Sequence, residues 1–113
     1  MKRLFLHAIL TLVLLVTPLS GKESKPLIGI TPSFSNNLIQ LNNDYVAAIQ
    51  RNGGIAVILA PTTDEKTLET YVRMLDGAVL SGGPDIPPEF YNQTPHATTK
   101  VMETTRFEFE RRF

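Results

Sequence analysis

The chain has 113 residues, 42% hydrophobic and 19% charged, with 11 Lys and Arg set against 11 Asp and Glu. That length and balance fit one domain with one modest core and exclude a disordered or fibrous chain. No Lys/Arg cluster interleaved with aromatics is present, which excludes a nucleic-acid footprint, and the absence of cysteine removes disulfides, thiolate metal sites and thiol nucleophiles from these residues together.

Met1-Lys2-Arg3 is a cationic opening, followed by an apolar run from Leu4 to Val16 and the small-residue ending Thr17-Pro18-Leu19-Ser20-Gly21. This order predicts a signal peptide over 1–21 and export to the periplasm or the cell exterior. The run is shorter than the roughly 20 residues a helix needs to cross a bilayer, and His7 interrupts it, so no permanent membrane span is expected after cleavage. Lys22-Glu23-Ser24-Lys25-Pro26 reads as a polar linker, which leaves 27–113 for the domain.

Leu27-Ile28-Gly29-Ile30-Thr31 is short, apolar and free of polar alternation, the pattern of a strand buried on both faces. After a Ser/Asn-rich loop over 33–37, Leu38, Leu41, Tyr45 and Ile49 recur at helical spacing, with Val46 and Ala48 beside them, until Gly53-Gly54 stops the helix. Ile55–Leu59 repeats the buried-strand pattern. Pro61 closes it, and Thr62 with Glu65 three residues later predicts a reciprocal cap on a second helix with an apolar face of Leu68, Tyr71, Val72 and Leu75. Asp76-Gly77 is expected to end that helix before a third strand, Ala78-Val79-Leu80. Strands alternating with helices in this way predict a mostly parallel sheet with helices on both faces and ligands at the carboxyl ends of the strands. From Pro84 to Lys100, prolines at 84, 87, 88 and 95 leave room only for a long loop. Beyond it, Met102, Phe107, Phe109 and Phe113 alternate with Glu103, Arg106, Glu108, Glu110, Arg111 and Arg112, which predicts a third helix with ion pairs along its exposed side. With no strand after that helix, apolar faces stay uncovered, and the chain reads as truncated, the N-terminal half of a larger three-layer α/β domain.

The third strand discharges into Ser81-Gly82-Gly83-Pro84. Two readings are open: a tight turn that needs glycine for positive φ, or a nest of amide donors for negative charge on a substrate oxygen. Ser81 lacks the Gly-x-Ser-x-Gly turn and a partner histidine, so it is not expected to be a nucleophile. His96, in Thr94-Pro95-His96, is either an exposed imidazole or a substrate contact. Asp85 and Glu89 are separated by Pro87-Pro88, so they share no helical face and are expected to be solvated or to tie the loop rather than to form an acid/base pair. No metal-ligand set is present. Gly53-Gly54 is not a phosphate loop, because no Lys-Ser/Thr follows.

Three blocks, Lys25–Thr31, Tyr45–Ile49 with Gly53-Gly54, and Leu75-Asp76-Gly77 running into Ser81-Gly82-Gly83-Pro84-Asp85-Ile86 with Pro88 and Tyr91, together resemble the γ-glutamyl-γ-aminobutyrate hydrolase family, peptidase family C26. The resemblance covers residues 25 to 110 and implies a flavodoxin-like, class I glutamine amidotransferase-like fold. It implies hydrolysis of a γ-glutamyl amide in a small-molecule substrate by a cysteine, through a thioester that water releases, with a histidine and an acid completing the site. It implies no cofactor, and a homo-oligomer is an expected partner arrangement. Gly82 and Gly83 match the oxyanion-hole glycines. Asp85 matches the loop after them and, with His96, is a candidate substrate contact. The family's cysteine, histidine and acid lie beyond the matched stretch, so no triad member is assigned, and the chain alone is not expected to catalyse. One departure stands out: an Arg-Asp pair is expected just before the Phe-Glu step, and here Thr104-Thr105 precede Arg106-Phe107-Glu108. Rival readings are a glutamine amidotransferase domain, a non-catalytic γ-glutamyl or carboxylate-binding module, and a gene remnant; export favours the stand-alone hydrolase.

Overall fold

A computed structural model describes residues 24–113; the expected signal peptide over 1–21 and the first linker residues lie outside it. Three strands form a parallel sheet: β1 (Leu27–Thr31) lies at the centre, with β4 (Ile55–Ile58) on one side and β5 (Gly77–Leu80) on the other. Leu27 pairs with Ile55 and Ile28 with Gly77, so β5 sits one residue further along β1 than β4 does. Asp76 holds that register, its carboxylate accepting from the Leu27 N–H at 2.7 Å while its own N–H donates to the Leu27 carbonyl at 2.8 Å.

Helices cover both faces, as adjacent β1 residues make plain. A Cβ on Gly29 would lie 2.5 Å from Leu75 Cδ1 and 2.9 Å from Leu59 Cδ1, so this face packs directly under those two leucines. Leu59 belongs to the core with Leu68 of α2 (Glu65–Met74) and Phe109 of α3 (Thr104–Arg112), flanked by Val57, Tyr71, Leu75 and Phe113. Tyr71 meets Phe109 edge-on at 6.5 Å between ring centroids, and Phe113 stacks on Phe109 at 5.7 Å. Ile28 points to the opposite face, towards Gly54 and the Ile49 side chain of α1 (Asn43–Arg51). The result is the three-layer, mostly parallel α/β architecture that the strand–helix alternation predicts.

Three local expectations are corrected. Ser33–Gln40 is a hairpin, β2 (Ser33–Ser35) against antiparallel β3 (Leu38–Gln40), rather than a loop leading into a helix at Leu38. Asn36 and Asn37 adopt φ of 48° and 61°, the consecutive left-handed pair that a two-residue hairpin turn demands and that asparagine tolerates. Leu38 and Leu41 therefore matched the helical period by coincidence, and α1 begins at Asn43 with Asn42 as its cap, accepting from the Asp44 N–H at 2.9 Å. The cap of α2 is Asp64, which accepts from the Thr67 N–H and hydroxyl at 2.9 and 2.7 Å; Thr62 instead accepts from the Asp64 N–H. The Thr67 hydroxyl, then its amide, holds the Asp64 carboxyl below its ordinary range. Finally, α2 ends at Met74 with Leu75 as its C-cap, and Gly77 already belongs to β5. Gly53, with φ of 84°, follows α1 as expected.

Candidate functional site

The carboxyl ends of β1 and β5 lie side by side, and a buried polar cluster fills the space where they stop. The Ser81 N–H donates to Thr31 Oγ1 at 3.2 Å, and Ser81 Oγ donates to the Thr31 carbonyl at 2.6 Å. Thr31 Oγ1 in turn donates to Glu110 Oε1 at 2.6 Å. Ser81 is only 7% exposed and its hydroxyl proton is committed to β1, which removes it from consideration as a nucleophile.

Arg106 closes the cluster from α3. Its side chain is 1% exposed and lies 2.8 Å through Nε from Glu110 Oε1, one helical turn on. Its terminal nitrogens donate to the Ser81 carbonyl and Oγ, to the Gly82 carbonyl, and to Ser33 Oγ of β2. A buried guanidinium is tolerable only when its charge is paired and its donors are used, and both conditions hold. No buried side-chain nitrogen or oxygen lacks a partner among the described residues. The expectation that Arg106 belongs to an exposed row of ion pairs is therefore corrected; Glu108, Arg111 and Arg112 form that row, at 2.7 and 3.3 Å. The Arg111 guanidinium holds the Glu108 carboxyl below its usual range.

Above this cluster Gly82 and Gly83 are exposed. Neither has positive φ, since Gly53 is the positive-φ glycine of the described chain. Glycine at 83 is required by proximity instead: a Cβ there would land on Arg106 Nη1. The Gly82 N–H donates to the Tyr45 hydroxyl of α1 at 2.9 Å.

Asp85 ties its loop shut, as the simpler reading of that carboxylate expects. Its N–H and carbonyl pair with the Lys100 carbonyl and Met102 N–H at 2.7 and 2.8 Å, and Oδ2 accepts from the Lys100 N–H at 2.9 Å. The loop so closed contains a single 3₁₀ turn, Pro88–Tyr91, with Phe90 tilted 60° against Phe107 at 4.4 Å between centroids. His96 is exposed, and its hydrogen bonds all stay within its own turn: Nδ1 meets Thr98 Oγ1 at 2.9 Å and its N–H donates to Thr99 Oγ1. The structure thus brings Gly82, Gly83, Tyr45, Ser81, Thr31 and Arg106 together, and leaves His96 in a separate loop turn.

A cavity of about 350 Å³ opens on the Arg106 side of the turn, between Ser33–Ser35 and Pro84, Val101, Met102 and Glu103. A larger groove of about 590 Å³ runs between α2 and α3, lined by Glu65, Leu68, Glu69, Val72, Arg73, Arg111 and Arg112, away from the strand ends. Among the described residues no three His, Asp or Glu side chains gather to hold a metal ion. Tyr45 and Arg106 are the site residues that sequence reasoning missed. Tyr45 was visible as part of a helical face, and Arg106 and Glu110 were visible as an i, i+4 pair between phenylalanines, but nothing in the order of residues tied either to Gly82.

Comparison with known proteins gives a family match. The family model for peptidase C26 matches residues 26–113. Protein NtpR of Enterococcus hirae is 33% identical over 88 residues, covering 77% of this chain and 36% of that protein. A putative glutamine amidotransferase-like protein, the YvdE homolog of Lactococcus lactis, is 26% identical over 80 residues, 71% of this chain and 42% of its own length. The putative glutamine amidotransferase Rv2859c of Mycobacterium tuberculosis is 31% identical over 85 residues, 67% of this chain and 28% of its own. The chain spans about a third of the length of these curated relatives.

Proposed function

The chain belongs to the peptidase C26 family, and from that premise we propose that it is the leading part of an exported γ-glutamyl amide hydrolase, of the γ-glutamyl-γ-aminobutyrate hydrolase type. The Gly82–Gly83 turn is one wall of its acyl-transfer site. The observation that carries the reading is an exposed pair of glycines at the carboxyl end of β5, backed by a buried cation. In the reaction a cysteine thiolate from outside these 113 residues attacks the γ-carbonyl carbon. A C–S bond forms, the carbonyl π pair moves to oxygen, and that oxyanion receives hydrogen bonds from the turn amides. Collapse breaks the C–N bond, with the amine taking its proton from a histidine, and water then cleaves the thioester to glutamate. Asp85, in the loop that follows the glycines, is the candidate contact for the substrate's ammonium end, whereas His96 stays in its own turn.

Relatives carrying glutamine amidotransferase names support a second reading, in which L-glutamine is the substrate and ammonia the product of use. Titrating the full chain with γ-glutamyl-γ-aminobutyrate, L-glutamine and an α-glutamyl dipeptide separates the two. Selective, saturable binding of the γ-glutamyl-amine supports the hydrolase over the amidotransferase, selective binding of L-glutamine supports the amidotransferase, and equal indifference to all three refutes the site.

A further inference from the structure

We infer that Arg106 is a positioning residue that turns both glycine-turn amides to one side, where a substrate oxygen would take the place of the Tyr45 hydroxyl on the Gly82 N–H; its meaning for catalysis rests on the acyl-transfer reading above. The Ser81 carbonyl accepts from the guanidinium, and the Gly82 carbonyl faces the same group, 3.4 Å from Nη1 and 3.5 Å from Nη2. No described peptide bond is cis, and in a planar trans peptide the N–H points opposite to the C=O. The N–H that shares a plane with the Ser81 carbonyl is that of Gly82, and the one that shares a plane with the Gly82 carbonyl is that of Gly83. Two carbonyls drawn to one cation therefore turn two successive N–H groups to the far side together. The Gly82 N–H, received by Tyr45 at 2.9 Å, is found on that side.

The residue type follows from the task. Two carbonyls, Ser81 Oγ, Ser33 Oγ and a carboxylate surround the side chain, and a planar fork of five donors serves them at once. A lysine ammonium has three donors on one atom and cannot reach both ends of the cluster. Glu110 keeps the fork in plane through Nε, and Thr31 keeps Glu110 in place. Behind the two amides the cation also polarises their peptide groups, which makes each N–H a stronger donor to negative charge forming in front of it.

Amide orientation in the isotope-labelled full chain tests this. Residual dipolar couplings of the Gly82 and Gly83 N–H vectors are measured in wild type, R106K and R106M, with β1 and β4 amides as internal reference. In R106M the two glycine couplings should collapse toward the averaged value of a mobile turn while the sheet couplings hold. R106K should recover at most one of them, and millimolar guanidinium should restore R106M in part. Unchanged glycine couplings in a folded R106M overturn the inference. Should R106M not fold, the scalar coupling across the hydrogen bond from Arg106 Nη2 to the Ser81 carbonyl is read in wild type, and its absence overturns the inference equally. γ-Glutamyl-γ-aminobutyrate and L-glutamine are then each titrated into both proteins. Binding of either that perturbs Gly82 and Gly83 and weakens about tenfold in R106M, the loss of one charge-assisted hydrogen bond, links aim to ligand. Couplings that collapse in R106M without any wild-type response to either compound leave the positioning role standing and remove the acyl-transfer reading.

Discussion

Gly82 and Gly83 are neighbours, both exposed and both outside the left-handed region, so surface reasoning gives them the same response to alanine. Replacing an exposed glycine of ordinary φ normally stabilises by about 0.4–1 kcal/mol, because the unfolded chain loses freedom. Their surroundings predict opposite outcomes. At 82 the new methyl meets the Tyr45 hydroxyl at 3.3 Å, a phenol tip that can yield by a few tenths of an ångström, and the entropy gain should leave G82A within about 0.5 kcal/mol of wild type. At 83 the methyl lands on Arg106 Nη1, and the guanidinium cannot retreat, being held by Glu110, Ser33 and the Ser81 carbonyl. Either the turn shifts or one or two charge-assisted hydrogen bonds break, at about 1.5–3 kcal/mol each, so G83A should lose about 2–4 kcal/mol net. Urea unfolding followed by far-ultraviolet circular dichroism reads the difference. With a slope of about 1–3 kcal/mol per molar for a domain of this size, the midpoint of G83A should fall by about 1 M or more and that of G82A should barely move. Equal midpoints for the two variants would refute the argument that guanidinium proximity, rather than turn conformation, demands the second glycine.

Truncating Phe109, which joins α3 to Leu59 and Leu68, should lower stability by about 3–5 kcal/mol in the same assay, and a loss under 1 kcal/mol would contradict its place in the core. N37G should stabilise the β2–β3 hairpin by a fraction of a kcal/mol, since the φ of 61° suits glycine better than asparagine; a lowered melting temperature would count against the turn geometry. Asp64 has a carboxyl pKa lowered in the fold, so its contribution is complete above the unfolded value of 3.8 and disappears as pH falls through the folded value. The stability gap between wild type and D64A should accordingly be flat from neutral pH to about 5 and close below about 4, whereas a gap that widens in acid would reverse the assigned sign.

What could be read beforehand was whatever depends on neighbours in sequence. Apolar runs without polar alternation mark β1, β4 and β5, and the helical period of Leu68, Tyr71 and Leu75 marks α2; the expected burial of β4 on both faces is corrected, since Ile55 and Ile58, like Leu80 of β5, stand exposed. The hairpin escaped because its signal was the Asn36-Asn37 dipeptide, and asparagine carries that backbone less obviously than glycine. The location of the glycines at 82 and 83 is legible in the sequence, but a need for positive φ is not the reason for them, since what excludes a side chain at 83 is a residue of α3. Arg106 reads as surface because charged residues in a polar helix usually are, and only tertiary pairing with Glu110 and the strand-end carbonyls reverses that default.

The middle strand of the sheet is also the first to be synthesised. β1 finds β4 only after α1, and its contact with Asp76, 49 residues later, only after α2 as well. Neither hydrogen-bonding edge can be satisfied by a nearby segment, so loop-closure entropy must be met twice before the strand is enclosed. The centre of the sheet is thus the part whose neighbours arrive last, and slow pairing of β1 is expected to limit its folding rate.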